Sequence, residues 1–543
     1  MQFMDILREP DRVVIQREKE WIPLEKDRSF FCHQDVCVSF TRTDSGMDVG
    51  VRAGNLPLSR IICFWKETPG ACRVLNDHWE RGYGDLEWAG IRPEKPLPWY
   101  FMTSGDDGTH GYGVKTGPSA MCCWLLDTNV VRLVLDVRNG GEGVLLGGRT
   151  LNAATIVSRR GLPGEDPFDA TRTFCAQMCD APCLPAFPVY GGNNWYYAYG
   201  RCSHDSIVGD SRNMAELARD AEGHPCMVID AGWHTNIDVW YKTSDDPWMD
   251  GTPNFPDMAA TAAAMKAEGV HPGLWFRPLQ TSHAIPESWL LRTHRVQGVD
   301  TNGLVLDPSI PEVLDAIASY MRRFGDWGYE VVKHDFTSYD ILGRYGFACG
   351  INLTEGGWHF ADRSRTTAEI VLDLYRAIKR GAPEITVIGC NTFSHLSAGI
   401  FEIQRTGDDT SGRQWERTRR MGPNTLAFRM PQHQTFYAAD ADCVGLTANV
   451  PRELNRQWLD VLGHSGTVVL VSADPRELGD AQKAAIREAF RAASRPCGIS
   501  RPLDWMNTNT PSVWRQADGT IRTYDWTDQR KLESLEGMFF EEI

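Results

Sequence analysis

Residues 311–336 read PEVLDAIASYMRRFGDWGYEVVKHDF. Pro311 to Phe324 reads as a helix, with its proline in the first turn, where a missing N–H costs nothing. Glu330 to Lys333 then reads as a short strand, and Asp335 stands just beyond it. The same rhythm extends in both directions. Upstream, strand-like Phe187 to Tyr190 precedes helix-like Ser206 to Ala221. Met227 to Asp230 follows, then the Ala-rich Met258 to Glu268 and the strand Gly273 to Phe276. Downstream come Thr366 to Lys379, Ile385 to Ile388, Ile400 to Gln404, a helix beginning near Ser411, Thr467 to Val471 and Asp480 to Phe490. Strands alternating with helices of about 10 to 15 residues predict a parallel sheet. About eight such units in some 300 residues predict a closed (β/α)8 barrel.

The flanks read differently. From Val13 to about Arg160 the chain is a series of short β-rich runs, among them Val36 to Phe40, Ile61 to Phe64, Val131 to Val137 and Val144 to Leu146, with Gly-rich turns between them. The expected organisation is an α/β chain with an antiparallel β-sandwich at 1–160, a linker at 161–185, the (β/α)8 TIM barrel at 186–498 and a small C-terminal β segment at 499–543. That last segment is too short for a core of its own and is expected to pack on the barrel.

Composition narrows the class of partner. A net charge of -15 argues against nucleic acid, and Arg417, Arg419 and Arg420 read as a solvated helix face. No apolar run is long enough for an ordinary membrane span, and Met1 to Lys19 holds no apolar signal core. The fifteen cysteines show no compact disulfide spacing, so free thiols in a cytoplasmic protein are expected. Cys175, Cys179 and Cys183 lack zinc-ribbon spacing, and no metal or other cofactor is expected. The 19 tryptophans suit sugar rings and large cores alike.

The polar residues that close the strand-like runs are the informative ones. They are Asn193, Asn194 and Trp195; Asp230 and Trp233; Trp275 and Arg277; Lys333 and Asp335; Cys390 and Asn391; Arg405 and Asp409. In a barrel these ends meet on one face, where active sites are built. An Asp beside Lys333 is expected to be ionised and able to attack an anomeric carbon. An Asp from another strand can protonate the leaving oxygen and then activate water.

Six ordered segments carry a resemblance. "GGNNWYYAYG", "VIDAGW", "HPGLWFRP", "LDPSIPEV", "VVKHDF" and "QRTGDD" resemble the retaining α-galactosidases of glycoside hydrolase families 27 and 36, family 36 more closely. The resemblance implies a retaining hydrolase with a carbohydrate substrate, Asp335 as nucleophile and Asp409, four residues after Arg405, as acid/base. Asp408 would then be solvated or brace the loop. Lys333 and Arg405 would position hydroxyls, Trp195, Trp233 and Trp275 would wall the ring, and Asp230 would accept from it. Asp442 lies where the family carries another acidic loop. Such enzymes are often homo-oligomers, although no interface is legible here.

The chain also departs from the pattern. Ala231 replaces the second acid of the family's Asp-Asp pair, and His334 stands where an aromatic precedes the nucleophile. Arg277 stands where an acid is expected, and Asn391, Thr392 and Phe393 replace a Gly-rich loop after Cys390. With one acceptor gone, activity on a plain α-galactoside is expected to be weak unless His334 substitutes, and Arg277 would favour an anionic or strongly accepting substituent. The alternatives are an unaltered α-galactosidase in which Arg277 pairs with a neighbouring acid, another α-glucosidic or pyranosidic specificity, a transglycosidase, and a non-catalytic carbohydrate-binding protein.

Overall fold

In the computed structural model, eight parallel strands close into a barrel: β1 Tyr190–Asn193, β2 Cys226–Ile229, β3 His271–Phe276, β4 Val331–His334, β5 Thr386–Gly389, β6 Ile403–Arg405, β7 Ala438–Leu446 and β8 Val468–Ala473. The structure describes residues 3–234, 246–281, 284–291, 304–495 and 498–529. The part of the expected C-terminal segment from 530 onward lies outside the described residues.

Period-two alternation explains how the barrel aims its side chains. In β4, Val331 joins the inner apolar plug with Val228, Ile388, Ile403 and Leu470, whereas Val332 packs outward into the main core. The next steps send Lys333 inward, His334 outward and Asp335 inward. His334 duly meets the rings of Tyr375 and Phe401 on the helical side, with centroids 5.8 and 5.4 Å away. The Pro311–Trp327 helix ends at Gly328, whose φ of 99° is the left-handed cap that glycine tolerates.

Seven barrel strands match runs read from the sequence, with ends shifted by a few residues. β7 does not. The resemblance places an acidic loop around Asp442, yet that residue lies within the strand AADADCVGL, every residue of which is buried. The pairing of β7 with β8 slips between Asp440 and Cys443, and Asp442 takes a φ of 67°. This bulge breaks the alternation and re-aims Asp442.

The N-terminal part forms a six-stranded and an eight-stranded antiparallel sheet. They pack through Phe101 of one and Trp124 of the other, rings 5.8 Å apart and edge to face. The stretch expected as a linker holds the helix Pro167–Met178, capped by Asp166 and burying Phe168, Phe174 and Met178. Arg501–Pro502, Val513–Arg515 and Ile521–Thr523 form a small antiparallel sheet. It abuts the barrel where Trp415 donates to the Trp526 carbonyl at 2.6 Å. Against the expectation of free thiols throughout, Cys32 and Cys37 on adjacent strands form a disulfide. Among the described residues no helix is long and apolar enough to cross a membrane.

One N-terminal loop enters the barrel. Gly82 N donates to the Thr406 carbonyl at 2.7 Å, and Asp408 N donates to the Gly82 carbonyl at 3.1 Å. A Cβ on Gly407 would stand 1.9 Å from the Met421 carbonyl oxygen, so glycine is needed there for the chain to pass the helical turn that carries Met421. The pairing brings Arg81 to the ends of the barrel strands.

Candidate active site

A cavity of about 570 Å³ opens at the C-terminal ends of the strands. Trp195, Asp230, Trp275, Arg277, Lys333, Asp335, Asn391 and Asp409 line it, together with Asp408, Arg81 and Arg417. Both carboxylates proposed for chemistry from sequence thus face one space.

Asp335 follows β4 and is buried. Its Oδ1 accepts from Phe336 N at 2.9 Å and, with the Asn391 amide turned so that its oxygen faces Arg81, from Asn391 Nδ2 at 2.6 Å, and Oδ2 accepts from Trp275 Nε1 at 3.0 Å. Burial alone would raise its pKa, but Lys333, Arg81 and the Trp275 hydrogen bond outweigh burial and the nearby Asp409, holding it below the usual carboxylate range. Phe336 takes a φ of 63°, an unusual conformation for a side chain of this size. It turns the chain sharply from β4 into the next helix and lies under the Arg277 guanidinium at 4.3 Å.

Lys333 does not pair with Asp335. Its Nζ donates to Asp230 Oδ2 at 2.7 Å, an oxygen that also accepts from Asn193 Nδ2 at 2.7 Å. Although burial opposes the charge, Asp230 keeps Lys333 an ammonium.

The two neighbouring acids differ in their bonding. Asp408 is tied at both oxygens: Oδ1 to Arg81 at 2.5 Å and Oδ2 to Arg417 at 2.8 Å. Asp409 is held only at Oδ1, by Arg405 at 3.2 Å and Arg81 at 3.6 Å, and 38% of its side chain is exposed. Among the described residues its Oδ2 has no hydrogen-bond or ion-pair partner. Burial would raise the Asp409 pKa, but Arg405, Arg81 and Lys333 bring it down to about 2. Arg417, read from sequence as part of a solvated face, is a wall of this cavity and also donates to the Asp409 carbonyl at 2.7 Å.

Several expected site residues stand behind the wall. Asp442 is buried and accepts from Arg405 at 2.9 Å, from Thr410 N at 2.9 Å and from the Tyr196 hydroxyl, so it braces the segment carrying Asp409. Cys390 accepts from Arg81 and from Arg405, each at 3.3 Å. Burial raises its thiol well above the ordinary value, so it spaces the two guanidinium groups as a neutral group. His334 faces away from the cavity and bonds Thr337, and burial lowers its pKa to about 3, which leaves it neutral. It is not placed to replace the missing acceptor at Ala231. Trp233 is fully buried, donates to the Trp275 carbonyl at 2.9 Å and packs on Phe324 and Trp327. It is a plug and not a wall. Arg277 lines the cavity, but its Nε and NH2 grip both oxygens of Asp340, at 3.0 and 2.7 Å. Its charge is therefore matched by a buried carboxylate.

Sequence reasoning missed Arg81, whose Cys390 contact spans 309 positions. It links the Asp409 and Asp335 sides of the cavity, because Asn391 Oδ1 accepts from it at 3.2 Å while Nδ2 serves Asp335. His234, Gln280, Tyr345 and Phe347 were missed as well. His234 stacks on Trp275 at 5.5 Å and was adjacent to a recognised motif.

Comparison with protein-family models and with curated proteins found no match. Comparison with solved structures did. The α-galactosidase of Thermus thermophilus, solved with p-nitrophenyl α-D-galactopyranoside, aligns with a TM-score of 0.59 and 18% identity over 90% of this chain and 99% of its own. A variant of the GH36 α-galactosidase AgaA of Geobacillus stearothermophilus, in complex with 1-deoxygalactonojirimycin, aligns with a TM-score of 0.63 and 14% identity over 91% and 73%. The galactosidase domain of the α-galactosidase-sucrose kinase AgaSK gives 0.61 and 15% over 94% and 74%. The family 36 resemblance carried by the six short segments therefore holds at the level of the whole fold, a β-sheet domain leading into a (β/α)8 barrel as in the GH36 α-galactosidases.

Proposed function

We propose that this protein is a retaining α-glycoside hydrolase acting on a neutral α-linked hexoside, with Asp335 as nucleophile and Asp409 as acid/base. The observation that carries the proposal is the unequal bonding of the carboxylates around one cavity. Asp335 is kept ionised and aimed by three N–H donors, as an attacking carboxylate requires. Asp409 presents one unpartnered oxygen from a partly exposed side chain, as proton transfer to and from a leaving group requires. Asp230 and Lys333 at the buried end supply an acceptor and a donor for ring hydroxyls, and Trp275 supplies an apolar surface.

Sugar preference turns on Ala231, which lines the cavity. A hydroxyl buried against its methyl loses an acceptor, a cost of about 1 to 3 kcal/mol or roughly one to two orders of magnitude. The Arg277–Asp340 pair leaves little reason to expect an anionic substituent. A panel of 4-nitrophenyl α-D-galactoside, α-D-glucoside, α-N-acetylgalactosaminide and β-L-arabinopyranoside, compared by kcat/KM, tests the proposal, and turnover of none of the four would overturn it. Ala231→Asp is expected to raise the galactoside-to-glucoside ratio about tenfold or more. An unchanged ratio would remove Ala231 from the specificity argument.

The pH profile carries a second expectation. In the free site the cations hold Asp409 ionised, whereas catalysis needs its proton. A bound sugar excludes water and occupies donors that otherwise stabilise the carboxylate, which raises its pKa. The alkaline limb of kcat, which reports the complex, is therefore expected at higher pH than that of kcat/KM, which reports the free enzyme. Coincident limbs would contradict this.

A further inference from the structure

We infer that Phe347 and Tyr345 form the subsite for the leaving group, a shelf on which the apolar face of a second pyranose ring stacks. The inference rests on the proposed glycosidase reading.

Three observations meet at this shelf. Phe347 lines the cavity yet is 60% exposed, so a large apolar face stands open beside the proposed reacting acids. A lone exposed phenylalanine would mean little, but Tyr345 lies nearly parallel to it, at 6.0 Å and 16°, and lines the same cavity. Tyr345 in turn rests on Tyr339 at 4.5 Å.

The shelf is also held in place. Glu80, a buried carboxylate from the N-terminal loop, accepts from Gly346 N at 2.9 Å and from the hydroxyls of Ser338 and Tyr83. A Cβ on Gly346 would meet the Glu80 Cγ at 2.5 Å, so the backbone between the two rings is seated directly on that side chain. One buried carboxylate thus ties the backbone beside Phe347 both to Ser338 and to the N-terminal loop.

Its side of the cavity fixes its role. Phe347 packs edge-on against Tyr83 at 5.3 Å, and Tyr83 lies 6.0 Å from the Arg81 guanidinium, which grips Asp408 and Asp409. Through these contacts the shelf is joined to the guanidinium that holds Asp409, and on that ground it is assigned to the acid/base side. A group whose oxygen receives a proton from Asp409 leaves on this side. Pyranoses present C–H groups on one face, and a flat aromatic pair with few hydrogen-bonding atoms matches that face better than a charged or extended chain.

The test compares two substrates sharing the sugar that the panel identifies: its α-glycosyl fluoride, whose leaving group has no ring, and an α-linked disaccharide. Phe347→Ala is expected to lower the disaccharide-to-fluoride ratio of kcat/KM about tenfold, the worth of one good ring stack. Phe347→Tyr should restore most of that ratio. A ratio unchanged in Phe347→Ala would overturn the shelf while leaving the glycosidase reading intact. Failure of the unaltered protein to cleave either substrate would overturn both.

Discussion

Replacing Asp335 by Ala is expected to abolish turnover almost entirely, by roughly 10⁶-fold, the scale seen when a covalent catalyst loses its nucleophile. Two features of the site make the result interpretable. Trp275, Asn391 and the Phe336 N–H all donate to this carboxylate, so its removal leaves donors and a small space facing the anomeric centre. Azide fits such a space and is itself an anion. With an activated substrate it is expected to restore part of the rate and to yield the β-glycosyl azide, since one displacement inverts where two retain. Asp335→Asn, nearly the same in shape, should be as inactive and keep the melting temperature within a few degrees. Substantial turnover by either variant would remove Asp335 from the mechanism.

The second large effect separates the neighbouring acids. Asp409→Ala is expected to lose about 10² to 10⁴-fold on substrates with poor leaving groups and far less on those with good ones, because a stable leaving anion needs little protonation. A plot of log kcat/KM against leaving-group pKa should steepen. Asp408→Ala should behave differently. Its carboxylate joins Arg81 to Arg417, so its loss leaves two cations facing each other without their shared anion. That fault lowers stability and activity for every leaving group alike. If Asp408→Ala steepens the plot and Asp409→Ala does not, the acid/base assignment passes to Asp408.

How far the sequence could be read follows from where the signal lay. β4 was legible because Val331 and Val332 form an apolar run and the polar residues start abruptly at Lys333. β7 was not, because its two aspartates, buried by the bulge and by Arg405, look in one dimension like a turn. Asp230, Trp275, Lys333, Asp335 and Asp409 could be gathered from sequence because all barrel strands end on one face. What sequence could not give was direction and partner. Trp233 and Trp275 share a residue type and a strand-end position, yet one is a plug and the other touches Asp335. Arg277 gave no sign of its grip on Asp340, and nothing local to Arg81 announces a partner beyond its own domain.

The backbone pairing of Gly82 with Gly407 also constrains how such a chain can change over time. Through it, the guanidinium that holds Asp409, and reaches Asp335 by way of Asn391, belongs to a different module from the acids themselves. A barrel recombined onto a foreign first domain would keep its strands, its plug and its carboxylates, but would lack the guanidinium at Arg81 and the carboxylate at Glu80 that seats the rim. Exchange of modules, ordinarily an easy route to new enzymes, would therefore need the loop at 77–86 to travel with the barrel. The two modules are expected to be inherited as a pair, with Arg81 changing together with Asp408 and Asp409 among descendants of this chain.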